Sequence, residues 1–537
     1  MKKCRFLALF LAVALLLTGC NGWSFESIIG DWAAQMATPF SQMEYTRPDM
    51  DKMEQAVQDC IDSAETEKEA MPVLEKVWEF YKLYNSFYTQ YNLANIRYFQ
   101  DMTDIYWEEE YSFCSQNTST AEALLEELYI ALAKSPLKDA LEEDDTFGEG
   151  FFDGYGGDAL WDEQFVEMMN EEALLEEEYY DLCAQAQEVA YYSDEFFETY
   201  GTKMAQVYVE LVALRQDIAQ YAGYADYPSF AYEFYHYRDY SPQQAAVYLD
   251  EIRQELVPIY KESEKKGLAN NSAFCDTKET FSYVEKCAKA MGGTVQNAFT
   301  LLKTAELYDI EYSEKKYDGS FEVYLTDYAV PFVFVSPGMS EYDKLTFAHE
   351  FGHFCNDYAA GGTVVSVDVA EVFSQGMEYL SLCYGDADEA LVQMKMADTL
   401  RVFVEQAAYA TFEQQVYALE GEELTVEAVS ELYEQVGTDY GFNAWNWDSR
   451  DFVIIEHFFT DPLYIISYVM SNDVAFQLYQ LERAQTGAGL DLYMQQLTTE
   501  QANLLPFVES AGLESPFGKG RVAAVRETIE EILLKAA

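Results

Sequence analysis

Residues 349–353 read HEFGH, and this pattern constrains the chain more than any other stretch. On a helix, His349 and His353 lie on the same face, with Cβ atoms roughly 5–6 Å apart. Two imidazoles at that separation can bind one Zn²⁺ ion. Glu350 projects toward the open metal position, where it can accept a proton from a bound water. The pattern therefore predicts a helix that carries a hydrolytic zinc site.

The flanking sequence supports a helix that packs closely against a neighbour. Ser340 and Asp343 have the spacing of a capping box, so we expect the helix to begin near residue 341. Gly352 costs a helix about 1 kcal/mol relative to alanine, which indicates that another segment passes close by. The β-branched and aromatic residues of 323–335 predict a strand. The alternative is a pair of ordinary helix histidines without a metal.

A third candidate ligand, Glu371, lies on a second predicted helix. Asp368, Glu371, Gln375 and Glu378 share one polar face of this helix. The Glu371 carboxylate would complete a set of two histidines and one glutamate, with one position left for water. Asp368 and Glu378 are then candidates for orienting the imidazole N–H groups. The alternative for both is a solvated acidic face.

These motifs resemble the thimet oligopeptidase and oligoendopeptidase F family of zinc metallopeptidases. The resemblance extends over roughly 230–537 and rests on three stretches, residues 349–353, 361–363 and 370–375. Glu371 is closer to the first helix than is usual in the family, and Phe373 stands where a small residue or proline is common. The resemblance implies a mainly α-helical, two-lobed fold around a deep cleft, with a small β element beside the zinc helix. It also implies one Zn²⁺ ion and short peptide substrates.

A histidine and two tyrosines further along the chain match another part of this family. There, a histidine followed by spaced tyrosines reaches over the zinc and donates to the oxyanion. His457, Tyr464 and Tyr468 have this layout, while Ile465 and Ile466 replace aromatic residues often found there. The resemblance therefore implies that His457 assists catalysis and leaves open which tyrosine contacts the oxyanion.

The first 19 residues have the form of a lipoprotein signal peptide. Basic residues precede an apolar run over 6–17, which is too short to span a bilayer. Residues 17–20 read LTGC and resemble a bacterial lipobox, which implies cleavage before Cys20 and lipid on its thiol. The alternative is a plain secretory signal with a chance cysteine. We therefore expect an exported lipoprotein at the outer face of the cell membrane, anchored only through its lipid.

Beyond the signal peptide, the sequence predicts three regions. A tether covers 20–45, a helical region covers 46–235, and the catalytic zinc peptidase region covers 236–537. Apolar and aromatic residues recur at helical spacing in the second region. His236, which stands among tyrosines, is expected to be structural.

The composition is strongly acidic and limits the possible partners. The chain has 33 Lys and Arg against 95 Asp and Glu, a net charge of −62, which excludes nucleic acid as a partner. A negative cleft would favour cationic peptides, but a general adaptation for solubility is the favoured explanation of the charge. The cysteines beyond Cys20 form no redox or metal motif. We expect mostly buried thiols, with Cys275 and Cys287 the only close pair.

The sequence thus predicts a zinc-dependent metalloendopeptidase that hydrolyses short peptides, with Glu350 as the base. One alternative is a zinc carboxypeptidase or dipeptidyl carboxypeptidase with the same ligands. Another is a catalytically inactive peptide-binding lipoprotein. Loss of a ligand or of Glu350 would be the sign of the latter, and the sequence retains all of them.

Overall fold

The chain folds, in a computed structural model, into helices that surround one small sheet. The structure describes residue 34 and residues 36–534, apart from 156–159, 187–188, 191, 267–272, 364, 443–446 and 499–500. The predicted signal peptide and Cys20 lie outside the described residues. The predicted fold class, mainly α-helical with a small β element beside the HExxH helix, is confirmed.

The first part of the chain is helical. It contains α1 Met50–Thr66, α2 Ala70–Gln100, α3 Ile105–Gln116, α4 Thr118–Lys134, α5 Lys138–Glu142, α6 Glu163–Ala186, α7 Asp194–Phe196, α8 Thr202–Tyr221, α9 Tyr227–Phe234, α10 Pro242–Glu255, α11 Val257–Lys266, α12 Thr277–Met291 and α13 Gly293–Thr304. Short polar side chains begin several of these helices, because they accept a first-turn N–H that has no partner within the helix. Asp49 does so for α1 and Ser241 for α10.

The sheet follows these helices and lies beside the predicted zinc helix. Its strands are β1 Tyr308–Asp309, β2 Phe321–Leu325 and β3 Val330–Phe334, in the order β1-β3-β2. β2 and β3 pair antiparallel, and β1 is parallel to β3. The strand predicted over 323–335 is therefore most of a hairpin. β3 is buried throughout, which fits its unbroken apolar sequence.

The remaining helices build the site region. They are α14 Asp343–Ala360, α15 Val367–Tyr384, α16 Glu389–Arg401, α17 Ala407–Val416, α18 Val426–Asp439, α19 Glu456–Thr460, α20 Ile466–Ala484, α21 Ala488–Gln496, α22 Leu504–Ser510 and α23 Arg521–Ile529. Among the described residues, no helix combines the length and the apolar character that are needed to cross a bilayer.

The described part of the chain contains two hydrophobic cores, and α2 contributes to both. A small core joins α1, α2 and α4, with Val57, Phe80 and Leu128 at its centre. Helices from α6 onward belong to one large core, which also includes Leu93, Ile96 and Phe99 at the end of α2. Phe40, within the predicted tether, is 6 % exposed and packs on the large core.

Candidate metal centre and active-site cleft

Helix α14 begins two residues later than the sequence predicts. The Asp343 carboxylate accepts hydrogen bonds from the backbone N–H groups of Gly338 at 3.0 Å and Ser340 at 3.1 Å. The Ser340 hydroxyl accepts from Tyr342 N at 3.3 Å, not from Asp343 N. Only one half of the predicted capping box forms, and the helix starts at Asp343.

Gly352 brings α14 and α15 into close contact. A Cβ atom at this position would lie 2.5 Å from Phe373 O and 2.6 Å from Ser374 Cα. Both distances are too short for any side chain, so only glycine allows the two helices to pack at this separation. The predicted close approach of another segment is confirmed, and that segment is the helix that carries Glu371.

The three predicted metal ligands converge on one point. Donor atoms of His349, His353 and Glu371 all lie within 4.8 Å of one another. Glu371 Oε2 is 3.3 Å from His349 Nε2 and 3.7 Å from His353 Nε2. Two imidazoles and one carboxylate in this arrangement form a site that could hold a metal ion.

Two hydroxyl groups fix the Glu371 carboxylate. Ser374 Oγ donates to Oε2 at 2.7 Å, and Tyr464 OH donates to Oε1 at 2.5 Å. Burial alone would raise the pKa of Glu371, but the neighbouring imidazoles of His349 and His353 and the hydrogen bond from Tyr464 lower it to about 2. Glu371 is therefore ionised, as a metal ligand must be.

Glu378 orients His349 from the side away from the cleft. Its Oε1 lies 2.9 Å from His349 Nδ1, and its Oε2 accepts from Lys395 Nζ at 2.7 Å. Because the carboxylate accepts, Nδ1 carries the proton and Nε2 is left free to bind a metal. Asp368, the other predicted orienting residue, instead faces Arg238 at 3.6 Å. The prediction for Asp368 was wrong, since its partner comes from a distant part of the chain.

Glu350 is 5 % exposed and lines the same cavity as the two histidines. Burial raises its pKa to about 8, an effect that His349 opposes and the carboxylates of Glu371 and Glu378 increase. A bound cation would act in the opposite direction, because positive charge favours the carboxylate form. Glu350 thus lies at the cavity beside the candidate ligands, where a general base would need its carboxylate form.

His457, Tyr464 and Tyr468 face the candidate ligands from α19, α20 and the segment between them. His457 Nε2 lies 3.1 Å from Tyr468 OH, and His457 Nδ1 lies 3.5 Å from Asp461 Oδ2. Tyr464 bonds Glu371 instead. The structure therefore brings all three residues to the cavity but gives the two tyrosines different partners.

The cavity that contains the candidate ligands has a volume of about 700 Å³. It is lined by residues from β2 and from helices of both hydrophobic cores. A second cavity, of about 800 Å³, shares Glu176, Asp461 and Tyr464 with it, so the two cavities adjoin and are together called the cleft. Within the described residues, neither cavity is lined by lysine or arginine, whereas both have several acidic side chains. The electrostatic potential in the cleft is consequently negative.

Several contributors to the site were not found from the sequence. Lys395 supports Glu378, and Tyr317 and Tyr180 both donate to Glu456 beside His457. Arg215 is fully buried and binds backbone carbonyls next to His457. Lys395 and Arg215 are cationic residues within helical stretches that are rich in apolar residues. This placement could have indicated from the sequence that both side chains are buried and paired.

Comparison with known proteins agrees with the fold. Residues 40–155 match the Peptidase M3 N-terminal domain. PZ peptidase A, solved with an inhibitor, superposes with a TM-score of 0.80 at 21 % identity, over 92 % of this chain and 99 % of that one. A Bacillus anthracis protein assigned as an oligoendopeptidase F has a TM-score of 0.79 at 20 % identity, over 93 % and 99 %.

A more distant similarity concerns the carboxypeptidase alternative. Metallocarboxypeptidase 1 of Trypanosoma cruzi has a TM-score of 0.53 at 12 % identity, over 90 % of this chain and 99 % of that one. No curated protein matches the sequence. The resemblance to the oligoendopeptidase F family is confirmed, and the findings support a metallopeptidase.

Proposed function

We propose that this chain, which has the oligoendopeptidase F fold and a Peptidase M3 N-terminal domain, is a zinc-dependent endopeptidase that hydrolyses short peptides. One observation carries the proposal: the ligand atoms of His349, His353 and Glu371 converge in a cleft that also contains Glu350.

The donor set fits a single zinc ion. Two imidazole nitrogens and one carboxylate oxygen are the usual protein ligands of a catalytic zinc, with a fourth position open. The contact between His349 Nδ1 and Glu378 supports this fit, because it presents the other ring nitrogen to the metal. When bound, zinc would lower the pKa of a water molecule and polarise the scissile carbonyl.

The protein's own side chains supply the proton transfers. Glu350 would accept the proton of the attacking water and return it to the leaving amine. His457 and Tyr468, which lie 3.1 Å apart and line the same cavity as Glu350, would donate hydrogen bonds to the carbonyl oxygen as negative charge develops on it. Tyr464 would hold the Glu371 carboxylate in its binding orientation.

The lining of the cleft favours internal cleavage over release of carboxy-terminal residues. A carboxypeptidase must capture the terminal carboxylate, for which a lysine or arginine is the usual partner. Neither residue type lines the two cavities in the described part of the chain. A peptide that binds through its backbone, with both ends outside the site, needs no lysine or arginine to hold a terminal carboxylate.

A peptide that is blocked at both ends and internally quenched tests the activity directly. The zinc-loaded protein should cut it internally, and mass spectrometry should locate the bond. Glu350→Gln should keep zinc and fold but lose nearly all turnover, typically about 10²–10⁴-fold, because the amide cannot accept the proton. Turnover of Glu350→Gln near wild type would refute the mechanism, and cleavage restricted to free carboxyl ends would favour the carboxypeptidase alternative.

A second variant tests the ligand set. Glu371→Ala should lower zinc occupancy, because only the two imidazoles of His349 and His353 would remain. Metal analysis after dialysis against a weak chelator measures the loss. Full occupancy with full activity would place the third ligand elsewhere. Binding of peptides without cleavage by the zinc-loaded wild type would support the inactive peptide-binding alternative.

We also propose that the protein is an exported lipoprotein anchored through Cys20. The support is the sequence of residues 1–20 alone. Cys20→Ala should release the protein from membranes or block its processing, which cell fractionation would show. Unchanged membrane association with normal cleavage would mean that the lipobox assignment is wrong.

A further inference from the structure

The three candidate cleft residues His457, Tyr464 and Tyr468 belong to one short stretch, residues 457–468, here called the donor segment. It contains the end of α19, the first turn of α20 and an irregular connection between them. Leu463 in this connection has a φ of 62°, a left-handed conformation that is unfavourable for a side chain of this type. Such backbone persists only where the surroundings determine it, so the contacts that hold it matter for the site.

Arg215 of α8 holds the first part of the donor segment. Its Nη1 donates to Phe458 O at 2.9 Å and its Nη2 donates to Phe459 O. These are carbonyls near the end of α19, where helix carbonyls lack partners and attract positive charge. Glu172 accepts from Arg215 Nε at 2.6 Å and balances the buried guanidinium.

His236 holds the middle of the donor segment. Its Nε2 lies 2.8 Å from Pro462 O, and since a carbonyl only accepts, Nε2 must carry the proton. Burial, with a smaller contribution from Arg238, lowers the pKa of His236 to about 3, so the ring is neutral near pH 7. The neighbouring Leu463 N donates to Glu413 Oε1 at 2.6 Å. The peptide group that precedes the left-handed Leu463 is thus fixed by buried side chains at both its carbonyl oxygen and its N–H.

Arg238 holds the last part of the donor segment and connects it to the ligand helix. Its Nη2 donates to Ser467 Oγ at 2.7 Å and to Tyr464 O at 3.5 Å. Its Nε lies 3.6 Å from Asp368 of α15, the helix that carries Glu371. One buried guanidinium therefore joins the donor segment to the helix of the third candidate ligand.

We propose that Arg215, His236 and Arg238 are positioning residues that hold the donor segment through its backbone, so that His457, Tyr464 and Tyr468 face the metal site. None of the three contacts the candidate metal ligands; each acts through the donor segment. The role in catalysis rests on the proposed function, whereas the effect on backbone order does not.

His236 offers the clearest test, because it can be replaced without leaving a buried charge unpaired. His236→Phe keeps the ring and removes the donor to Pro462 O. His236→Gln is the matched control, because its amide nitrogen replaces Nε2 as a donor. Arg215 is less suitable, since its removal would leave Glu172 buried and unpaired, which typically prevents stable folding.

Hydrogen exchange and steady-state kinetics should be measured on the zinc-loaded variants, together with zinc content. In His236→Phe, amide exchange should increase over residues 457–468, and kcat should fall about tenfold because misplaced groups catalyse poorly. KM and zinc content should stay close to wild type. His236→Gln should restore both exchange and kcat.

A double mutant separates positioning from general stability. If His236 acts through His457, then His236→Phe should cost much less in a His457→Phe background than in the wild type. Ser467→Ala provides a milder second variant if His236→Phe does not fold, since it removes a hydroxyl that Arg238 holds and leaves every charge in place. It should increase exchange in the same residues.

Unchanged exchange over 457–468, with wild-type kcat in the folded fraction of His236→Phe, would overturn the proposal. So would equal losses in the His457→Phe background and the wild type. A wild-type protein that binds zinc and cuts no peptide would refute the proposed function instead. In that case the exchange measurement still decides whether His236 orders the donor segment.

Discussion

Tyr464 donates its hydroxyl to Glu371 Oε1 at 2.5 Å, on the carboxylate oxygen that faces away from the two histidines. Oε2, the other oxygen, faces His349 and His353. Tyr468, one helical turn later, contacts His457 instead. Two tyrosines that have similar positions in the sequence pattern therefore have different partners: Tyr464 contacts a candidate metal ligand, and Tyr468 contacts His457.

Tyr464→Phe should weaken metal binding more than it affects the chemical step. Without the Tyr464 hydroxyl, only one of the two hydroxyl groups that fix the Glu371 carboxylate remains, that of Ser374. Loss of such an orienting partner typically costs about 10–100-fold in metal affinity or activity. Competition with a chromogenic zinc chelator measures the affinity. Tyr468→Phe is the matched control and should bind zinc as the wild type does. Equal zinc affinity in both variants would contradict a separate role for each tyrosine.

His457→Phe should retain zinc and fold while kcat falls by about 10²–10³-fold, the usual cost of removing an oxyanion donor. KM should change little, because the interaction strengthens in the transition state. Tyr468→Phe should show a smaller loss of the same kind. Steady-state kinetics on the blocked peptide, corrected for zinc content, would test this. Variants that lose stability but remain fully active when folded would show that these residues only pack the interior.

Gly352→Ala should destabilise the protein and lower its zinc occupancy together. The added Cβ would meet Phe373 O at 2.5 Å, so α15 must move away and take Glu371 with it. Overpacking of this kind typically costs about 1–3 kcal/mol. Denaturant unfolding and metal analysis provide the two measurements. Gly376→Ala on α15 is the milder control, since its nearest contact would be the flexible Leu478 side chain at 3.2 Å.

The stability of the fold should depend on pH through His236. Its pKa is lowered from 6.5 to about 3 in the folded protein, so below pH 6.5 the unfolded chain binds a proton that the folded chain does not. The free energy of unfolding should therefore fall as the pH decreases from 6.5, by up to about 1.4 kcal/mol per pH unit. His236→Gln does not titrate and should lose less. Parallel pH dependence of the two unfolding free energies between pH 7.5 and 4.5 would contradict a neutral, buried His236.

The acidic cleft should favour basic peptides in a salt-dependent way. Asp461, whose pKa is lowered by the neighbouring His457 against the effect of burial, lies where the two cavities meet, and Asp357 lines the part near the candidate ligands. Peptides with lysine or arginine beside the cut bond should have a higher kcat/KM than neutral peptides, and added salt should reduce the difference by screening. A preference that does not change with salt would indicate shape selection instead.

The sequence predicted those features that depend on local spacing. The shared helix face of His349 and His353, the hairpin before it and the close approach at Gly352 all follow from local pattern and residue type. The start of α14 did not follow from local pattern. Asp343 accepts hydrogen bonds from two upstream N–H groups, and the helix begins at Asp343 and not near residue 341.

Features that depend on distant contacts could not be predicted. Asp368 pairs with Arg238, which lies far away in sequence. The tyrosine that contacts the oxyanion could not be assigned from the sequence. The left-handed Leu463 lies between His457 and the two tyrosines, Tyr464 and Tyr468, and breaks the helical periodicity that would relate them. The expectation of mostly buried thiols, by contrast, is confirmed, because five of the seven described cysteines are buried and all seven are free, Cys275 and Cys287 included. Cys275 lies against the Thr280 hydroxyl.

The connection between α14 and α15 spans only residues 361–366, and the packing at Gly352 holds the two helices together independently of any ligand. The entropic cost of closing a loop rises with the length of the loop. Because this loop is short, bringing Glu371 beside the two histidines costs little conformational entropy. Release of an ion should then leave the two helices associated, and its return becomes a simple encounter with a preorganised site. The free energy of ion binding is in that case not consumed in ordering the chain, and loading should be fast and reversible.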